Sequence, residues 1–303
     1  MNQTTLHYDI IIIGGSYAGL SAALALGRAS RQVLVIDSGN PCNKYVKRAH
    51  NFLTWDGISP NEIRNKAKEQ IRKYSNITFL DGVANDVSAI EGGFEISTEK
   101  GERFSAKKLL FATGIQDLLP EIPGISECWG TSILHCPYCH GYEVKGKKTA
   151  VLANGIQAYD LCKVLTQWTN EIHLLTNGEA SLTEDQINKL KRHNVRITET
   201  EIAAVKHEHG QTEAVHFKDG STLDIPVMYA KPGFRQQCTL PEKLGCRMTE
   251  EGYIEVNECK KTSVHGIYAA GDNSSQSRII SMSVAAGSVA GMMLNGELSS
   301  ESF

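Results

Sequence analysis

The 303-residue sequence has no block of five like charges, and 31 basic against 34 acidic side chains leave a formal charge of −3. Without a basic stripe there is no electrostatic footprint for nucleic acid or an anionic membrane, and neither partner is expected. Long apolar runs are missing too. The longest, 10–13 and the small-residue stretch 279–294, fall short of the roughly 18 residues that suggest a membrane span. The amino terminus, MNQTTLHYD, has no basic region ahead of an apolar one, so no signal peptide is expected and a soluble, cytoplasmic protein is. Cysteine is sparse: eight residues in a chain of this size cannot form a disulfide framework. Cys42, Cys128, Cys162, Cys238, Cys246 and Cys259 have no partner at a redox or metal-ligand spacing. The ten histidines are scattered and suggest no metal site.

What is present reads as an ordinary globular composition, 41% hydrophobic and 21% charged, long enough for two domains. An unbroken run, Tyr8-Asp9-Ile10-Ile11-Ile12-Ile13, leads into Gly14-Gly15-Ser16-Tyr17-Ala18-Gly19 and then an alanine-rich stretch to Arg28. This reads as a buried parallel strand, a tight turn and a close-packed helix. A second strand, 32–37, ends in Asp37. Together they form the βαβ fingerprint of a dinucleotide site. Ser16 stands where the second glycine lets a pyrophosphate approach the backbone, and serine is small enough to allow it.

A fainter copy follows: a strand at 147–152, a turn at 153–158, a helix at 159–168 and a strand at 171–175. Each copy continues through a helix (61–74; 183–193) into a β-meander, with Gly210 and Asp219-Gly220 supplying hairpin turns in the second. Segment 109–114 closes the first copy and 227–233 the second. The first is longer, largely through the loop 38–60, a candidate ligand-binding element. Beyond the second copy, 266–272 and a helix-like run at 279–294 are too little for a third domain and must complete one of the others.

One motif carries chemistry: His135-Cys136-Pro137-Tyr138-Cys139-His140-Gly141-Tyr142-Glu143. A CxxCH string also marks c-type haem attachment, which belongs mostly to exported proteins. A zinc site here would crowd four ligands into six residues, whereas structural sites draw on separated pairs. A redox dithiol is favoured, because two cysteines three apart at a helix start can close a small disulfide and helix-terminal amides stabilise the attacking thiolate.

Along nearly its whole length the sequence resembles the low-molecular-weight thioredoxin reductase group of flavoprotein disulfide reductases. The matching positions are the first glycine turn with Asp37, Ala112-Thr113-Gly114, the CxxC, and Thr262 followed by Ala269-Ala270-Gly271-Asp272. The resemblance implies an α/β fold of two Rossmann-like dinucleotide-binding domains in three layers (ββα), the second inserted into the first. An FAD-binding domain would take residues 1–115 and 243–303, and an NAD(P)-binding-like domain carrying the CxxC would take 116–242. Gly14, Gly15 and Gly19 would meet the FAD pyrophosphate and Asp37 the adenosine ribose, with Ser16, Ala18 and Ser38 also in the cofactor site. Ala112, Thr113, Gly114, Gly271 and Asp272 would line the rest of the cofactor. A helix from Ile280 would direct its positive end at the flavin, and His50 and Asn51 would contact the flavin ring. Cys139 becomes the flavin-proximal thiol and Cys136 the interchange thiol. His140 replaces the family's aspartate as general acid and base, since imidazole titrates near neutrality. His135 and Glu143 are secondary candidates. A homodimer is implied by the family alone.

The sequence departs from the family at its second nucleotide turn, which begins with Ala153 and keeps only Gly155. The basic run that grips a 2'-phosphate is replaced by Leu174-Leu175-Thr176-Asn177-Gly178, with no arginine before Arg192. An Arg-Gln pair is replaced by Ile280-Ser281. These departures resemble the FAD-dependent dithiol oxidases of the gliotoxin and holomycin type. The expected function is thiol-disulfide exchange between flavin, Cys136-Cys139 and a protein or small-molecule substrate. NADPH, NADH and oxygen stay open as electron partners, with a dithiol oxidase and a non-catalytic redox sensor as the alternatives.

Overall fold

The structure is a computed structural model that describes residues 6–303. The chain forms two compact units: residues up to Lys44, Pro60–Gln116 and Phe234–Phe303 make the first, Tyr45–Ser59 and Asp117–Gly233 the second. Both are built on Rossmann-like parallel sheets, as expected. The second unit ends at Gly233, short of the expected 242, and it includes most of the long loop of the first copy.

The first unit opens with β1 (Leu6–Ile13), α1 (Tyr17–Arg28), β2 (Val33–Asp37), α2 (Pro60–Ile71) and β3 (Ile77–Asp81). β1, β2 and β3 are parallel neighbours. Ile10, Ile11 and Ile12 of β1 are fully buried, because helices or loops cover both faces of a parallel sheet. β4 (Ala84–Ile90), β5 (Gly93–Thr98) and β6 (Arg103–Phe111) form the antiparallel meander, with β6 paired parallel to β1. α2 is shorter than the expected 61–74, the chain turning at Tyr74, whose N–H reaches the Ile71 carbonyl at 2.9 Å.

The chain leaves through β7 (Ile115–Leu118) and continues as α3 (Ile125–Cys128), β8 (Ile133–Leu134), α4 (Pro137–His140), β9 (Thr149–Leu152) and α5 (Gly155–Leu165). β10 (Ile172–Leu175), α6 (Glu184–Arg192) and β11 (Arg196–Thr198) follow. A small antiparallel sheet comes next, β12 (Ile202–Glu208), β13 (Gln211–Phe217) and β14 (Thr222–Asp224), and then β15 (Val227–Ala230). The parallel sheet of this unit has the order β11-β10-β9-β15-β8. α5 starts at Gly155, earlier than expected, because the Asn154 side chain caps it by accepting from the Gly155 N–H.

The chain returns through β16 (Gly233–Gln236) and α7 (Leu240–Lys243) to β17 (Ile267–Ala269) and α8 (Ile280–Ser302). β17 completes the first sheet beside the carboxy-terminal half of β6, pairing Ile267 with Leu109 and Ala269 with Phe111. α8 runs past the expected 294, because its last turns are anchored. Leu298 is buried in the first unit's core, and Lys108 of β6 pairs with Glu297 at 2.8 Å and with Glu301. Among the described residues no helix is long and apolar enough to cross a membrane.

Candidate active site

Three turns meet in the first unit. Gly14, at φ +109°, has room for no side chain, since a Cβ there would stand 2.2 Å from the Ala112 carbonyl oxygen. At Gly19 a Cβ would stand 1.9 Å from the Gly14 carbonyl. Gly271, at φ +94°, brings the third turn to within 3.1 Å of the Ala18 side chain, measured from the Cβ it lacks. The sequence reading missed the side chain that ties two of these turns together. Asn273 is fully buried, and its Nδ2 donates to the Phe111 carbonyl at 2.8 Å and to Thr113 Oγ1 at 3.3 Å, while its Oδ1 has no hydrogen-bond partner among the described residues. Ser283 of α8 donates to Asp272 at 3.2 Å, so the turn before α8 and its first turn hold one another.

Asp37, at the end of β2, is buried. Burial alone would raise its carboxyl, but Lys68 at 2.8 Å and the amides of Gly39 and Gly15 hold it below the usual carboxylate range. Lys68, on α2, was not legible as its partner. Ser16 is the N-cap of α1 and spends no side-chain hydrogen bond on the helix. A cavity next to this turn is lined by Gly14, Ser38, Asn85 and Thr113. A glycine cradle at a helix N-terminus, an ionised acid at the end of the next strand and a cavity beside them fit a dinucleotide. Ala18, Ala112, Gly114 and Ile280 belong to the same three turns and the start of α8. His50 and Asn51 do not; both are in the second unit.

In that unit the redox string starts in extended backbone at Cys136, the N-cap of α4, with Pro137 at the first helical position. Both cysteines are half-buried free thiols. A hydrogen bond from the Cys139 thiol pulls Cys136 down to about 7 against the opposing effect of burial, helped by the amides of Cys139 and Tyr138 and the charge of Lys231. The same hydrogen bond, with burial, pushes Cys139 up. The pair is therefore polarised, with Cys136 the thiolate and Cys139 the proton holder. Trp168 packs on the turn: the Tyr138 ring meets it edge-on at 5.7 Å, and a Cβ on Gly141 would stand 2.8 Å from its indole.

His140 is lowered, chiefly by burial and further by His50, against the pull of Glu143. His50 lies between two carboxylates, Nδ1 at 3.4 Å from Asp56 and Nε2 at 3.5 Å from Glu143. The Asn51 N–H donates to Asp56 at 2.8 Å, closing the loop on itself. This cluster ties the long loop to the redox string. No local pattern could reveal it, because His50 and Glu143 are far apart in sequence.

The second nucleotide turn is occupied by its own chain. Asn154 Oδ1 accepts from Gly155 and from Ser181, each at 2.8 Å, and its Nδ2 donates to the Glu179 carbonyl at 2.8 Å. Glu199 fixes the same loop by accepting from the Ala180 N–H at 2.7 Å. The loop after β10 thus folds over the start of α5, where a dinucleotide would set its pyrophosphate.

The profile described as pyridine nucleotide-disulphide oxidoreductase matches residues 8–288. Thioredoxin reductase tcpT of Claviceps purpurea is 33% identical, over 96% of this chain and 94% of its own. Among solved structures, the oxidoreductase from Agrobacterium tumefaciens is 35% identical with a TM-score of 0.91, covering 97% of this chain and 99% of its own. HlmI is 31% identical with a TM-score of 0.93, covering 99% and 96%.

Proposed function

The chain belongs to the pyridine nucleotide-disulphide oxidoreductase family and is a thioredoxin reductase-like flavoprotein enzyme acting on thiols and disulfides; from that premise we propose that it works through Cys136 and Cys139, with Cys136 as the interchange nucleophile and Cys139 on the flavin side. The family's cofactors are FAD and a pyridine nucleotide. Gly14, Gly15, Ser16 and Gly19 would hold the FAD pyrophosphate and Asp37 its adenosine ribose, the first unit serving FAD and the second being NAD(P)-binding-like. When bound, FAD supplies or receives the electron pair of the dithiol.

The observation that carries this reading is the polarised pair, with one thiol brought down to about 7 by the other. The Cys136 thiolate attacks one sulfur of a substrate disulfide, whose S–S bond breaks and releases a substrate thiolate. Neutral His140 accepts the Cys139 proton. Cys139 then attacks Cys136, the Cys136–Cys139 bond closes, and the second substrate sulfur leaves and takes the proton from His140. Run backwards, the same steps oxidise a substrate dithiol. Lowering of His140 by burial supports its role as base at neutral pH.

The loop held over α5 by Asn154 supports impaired use of NADPH, and so keeps a second reading, a dithiol oxidase delivering electrons to oxygen. Anaerobic stopped-flow on the purified yellow protein separates them. Flavin bleaching by NADPH or NADH supports the reductase; bleaching by dithiols alone, reversed by air, supports the oxidase. Failure of both would leave only a redox sensor. Cys139→Ser should abolish any thiolate–flavin absorption band, and a surviving band would refute the assignment of Cys139. The reading extends to a cytoplasmic homodimer. Cysteines too sparse for a disulfide framework support a reducing compartment, and light scattering tests the dimer.

A further inference from the structure

β15 is entirely buried, and among Val227, Met228 and Ala230 it carries one side-chain nitrogen or oxygen, the hydroxyl of Tyr229. That hydroxyl is shielded from solvent and has no hydrogen-bond partner among the described residues. A buried hydroxyl left unpaired costs about 1–3 kcal/mol, and phenylalanine would fill the same space without that cost. The placement of the ring gives the hydroxyl a use. In the parallel pairing of β15 with β8, Tyr229 stands opposite Leu134, two positions before Cys136. Leu134 and Val144, which bracket the redox string on either side, both pack in the same core cluster as Tyr229. The ring therefore shares its core with the residues that flank the string. Burial pushes the phenol's own ionisation well up, and charge on Cys136, Glu143 and Cys139 pushes it further, with Cys136 the strongest of the three. It stays a donor through neutral pH and beyond.

We propose that the Tyr229 hydroxyl is a buried donor to the Cys136 thiolate across one water, and so a further residue of the redox centre. The proposal rests on the reading of Cys136 as interchange nucleophile. A thiolate beneath which a hydroxyl dipole is fixed is favoured over the thiol, and the dithiol form over the disulfide. Tyr229 would thus hold the pair toward its reduced state without touching substrate.

Tyr229→Phe removes only the oxygen and keeps the packing. The test is the pH dependence of iodoacetamide modification at Cys136, resolved by peptide mass spectrometry on the reduced holoenzyme. The equilibrium of the pair against a glutathione buffer and the thermal midpoint are measured alongside. The expected result is a Cys136 profile displaced to higher pH, with about tenfold less thiolate below its midpoint. Oxidation of the pair should become easier, and the fold should be as stable as before or more so. Met228→Leu, beside it on β15, should leave the profile in place. An unmoved profile in Tyr229→Phe, with raised stability, would overturn the proposal and make the phenol a core ring only. If Cys139 rather than Cys136 is modified first in the parent, the assignment of the nucleophile fails and takes this inference with it.

Discussion

Cys136 is set apart from the other thiols by its surroundings. Burial pushes Cys162 up to about 12 and raises Cys238 and Cys246, whereas the CPYC turn brings Cys136 to about 7. Limited alkylation at pH 7 should therefore label Cys136 first, at a rate that rises through about pH 7. Earlier labelling of any of those three would contradict the turn's electrostatics. His140 is lowered, so the imidazole proposed as the base is neutral over most of the working range and is protonated as pH falls through its titration, below the ordinary histidine value. His140→Asn should cost roughly 10²- to 10⁴-fold in turnover and remove that acid limb, with flavin content unchanged. Gly141→Ala forces a methyl against the Pro137 carbonyl at 2.5 Å and the Trp168 indole at 2.8 Å, and should lower stability by about 1–3 kcal/mol in a thermal melt. At this scale the sequence was informative where chemistry is local. Cysteine spacing and glycines at tight turns could be read directly, but the pairing of His50 with Glu143, of Lys68 with Asp37 and the place of Asn273 could not, because each joins residues that only the folded chain brings together.

Helix α8 owes its position to two different kinds of contact. Its first half lies on α1 through small residues: a Cβ on Gly287 would stand 2.0 Å from the Ala18 carbonyl and one on Gly291 2.9 Å from that of Ala22. Gly287→Leu should force the helices apart, and both a lowered melting temperature and loss of bound flavin would register it, since Ala18 belongs to the turn proposed to hold the cofactor. Its last turns are held by charge. Lys108 is buried on β6 between Glu297 and Glu301, and Glu297 also accepts from Tyr268 at 2.7 Å and Lys261 at 2.5 Å. Although burial opposes ionisation of Glu297, Lys108, Lys261 and Tyr268 bring its carboxyl down to about 2. A depressed carboxyl stabilises the fold fully above its unfolded value of 4.5 and ceases to do so as pH falls toward 2. Glu297→Gln should destabilise by about 3 kcal/mol at pH 7, and urea melts should show the gap closing in acid. The helix-like run 279–294 was legible from its composition. Its continuation was not, because Asn295–Ser302 reads as a polar tail until Lys108 is seen opposite it.

For the molecule as a whole, duplication of the βαβ pattern was visible in sequence, and so was the lack of a cation after β10. The self-closure of the second turn was not, since it depends on Asn154 reaching a loop that follows the next strand. That closure predicts that NADPH at concentrations saturating for a typical reductase leaves the flavin oxidised, measured by absorbance under argon. Rapid bleaching would mean the loop opens at little cost.

The split of the first unit along the chain also orders its assembly on the ribosome. Every residue of the second unit has been made by Gly233, whereas β17 and α8, which complete the first sheet and clamp α1, are made after it. A nascent chain can thus fold its dithiol-bearing portion while the proposed flavin cradle is unfinished. Cofactor capture then waits for α8, and chains arrested before it should emerge colourless.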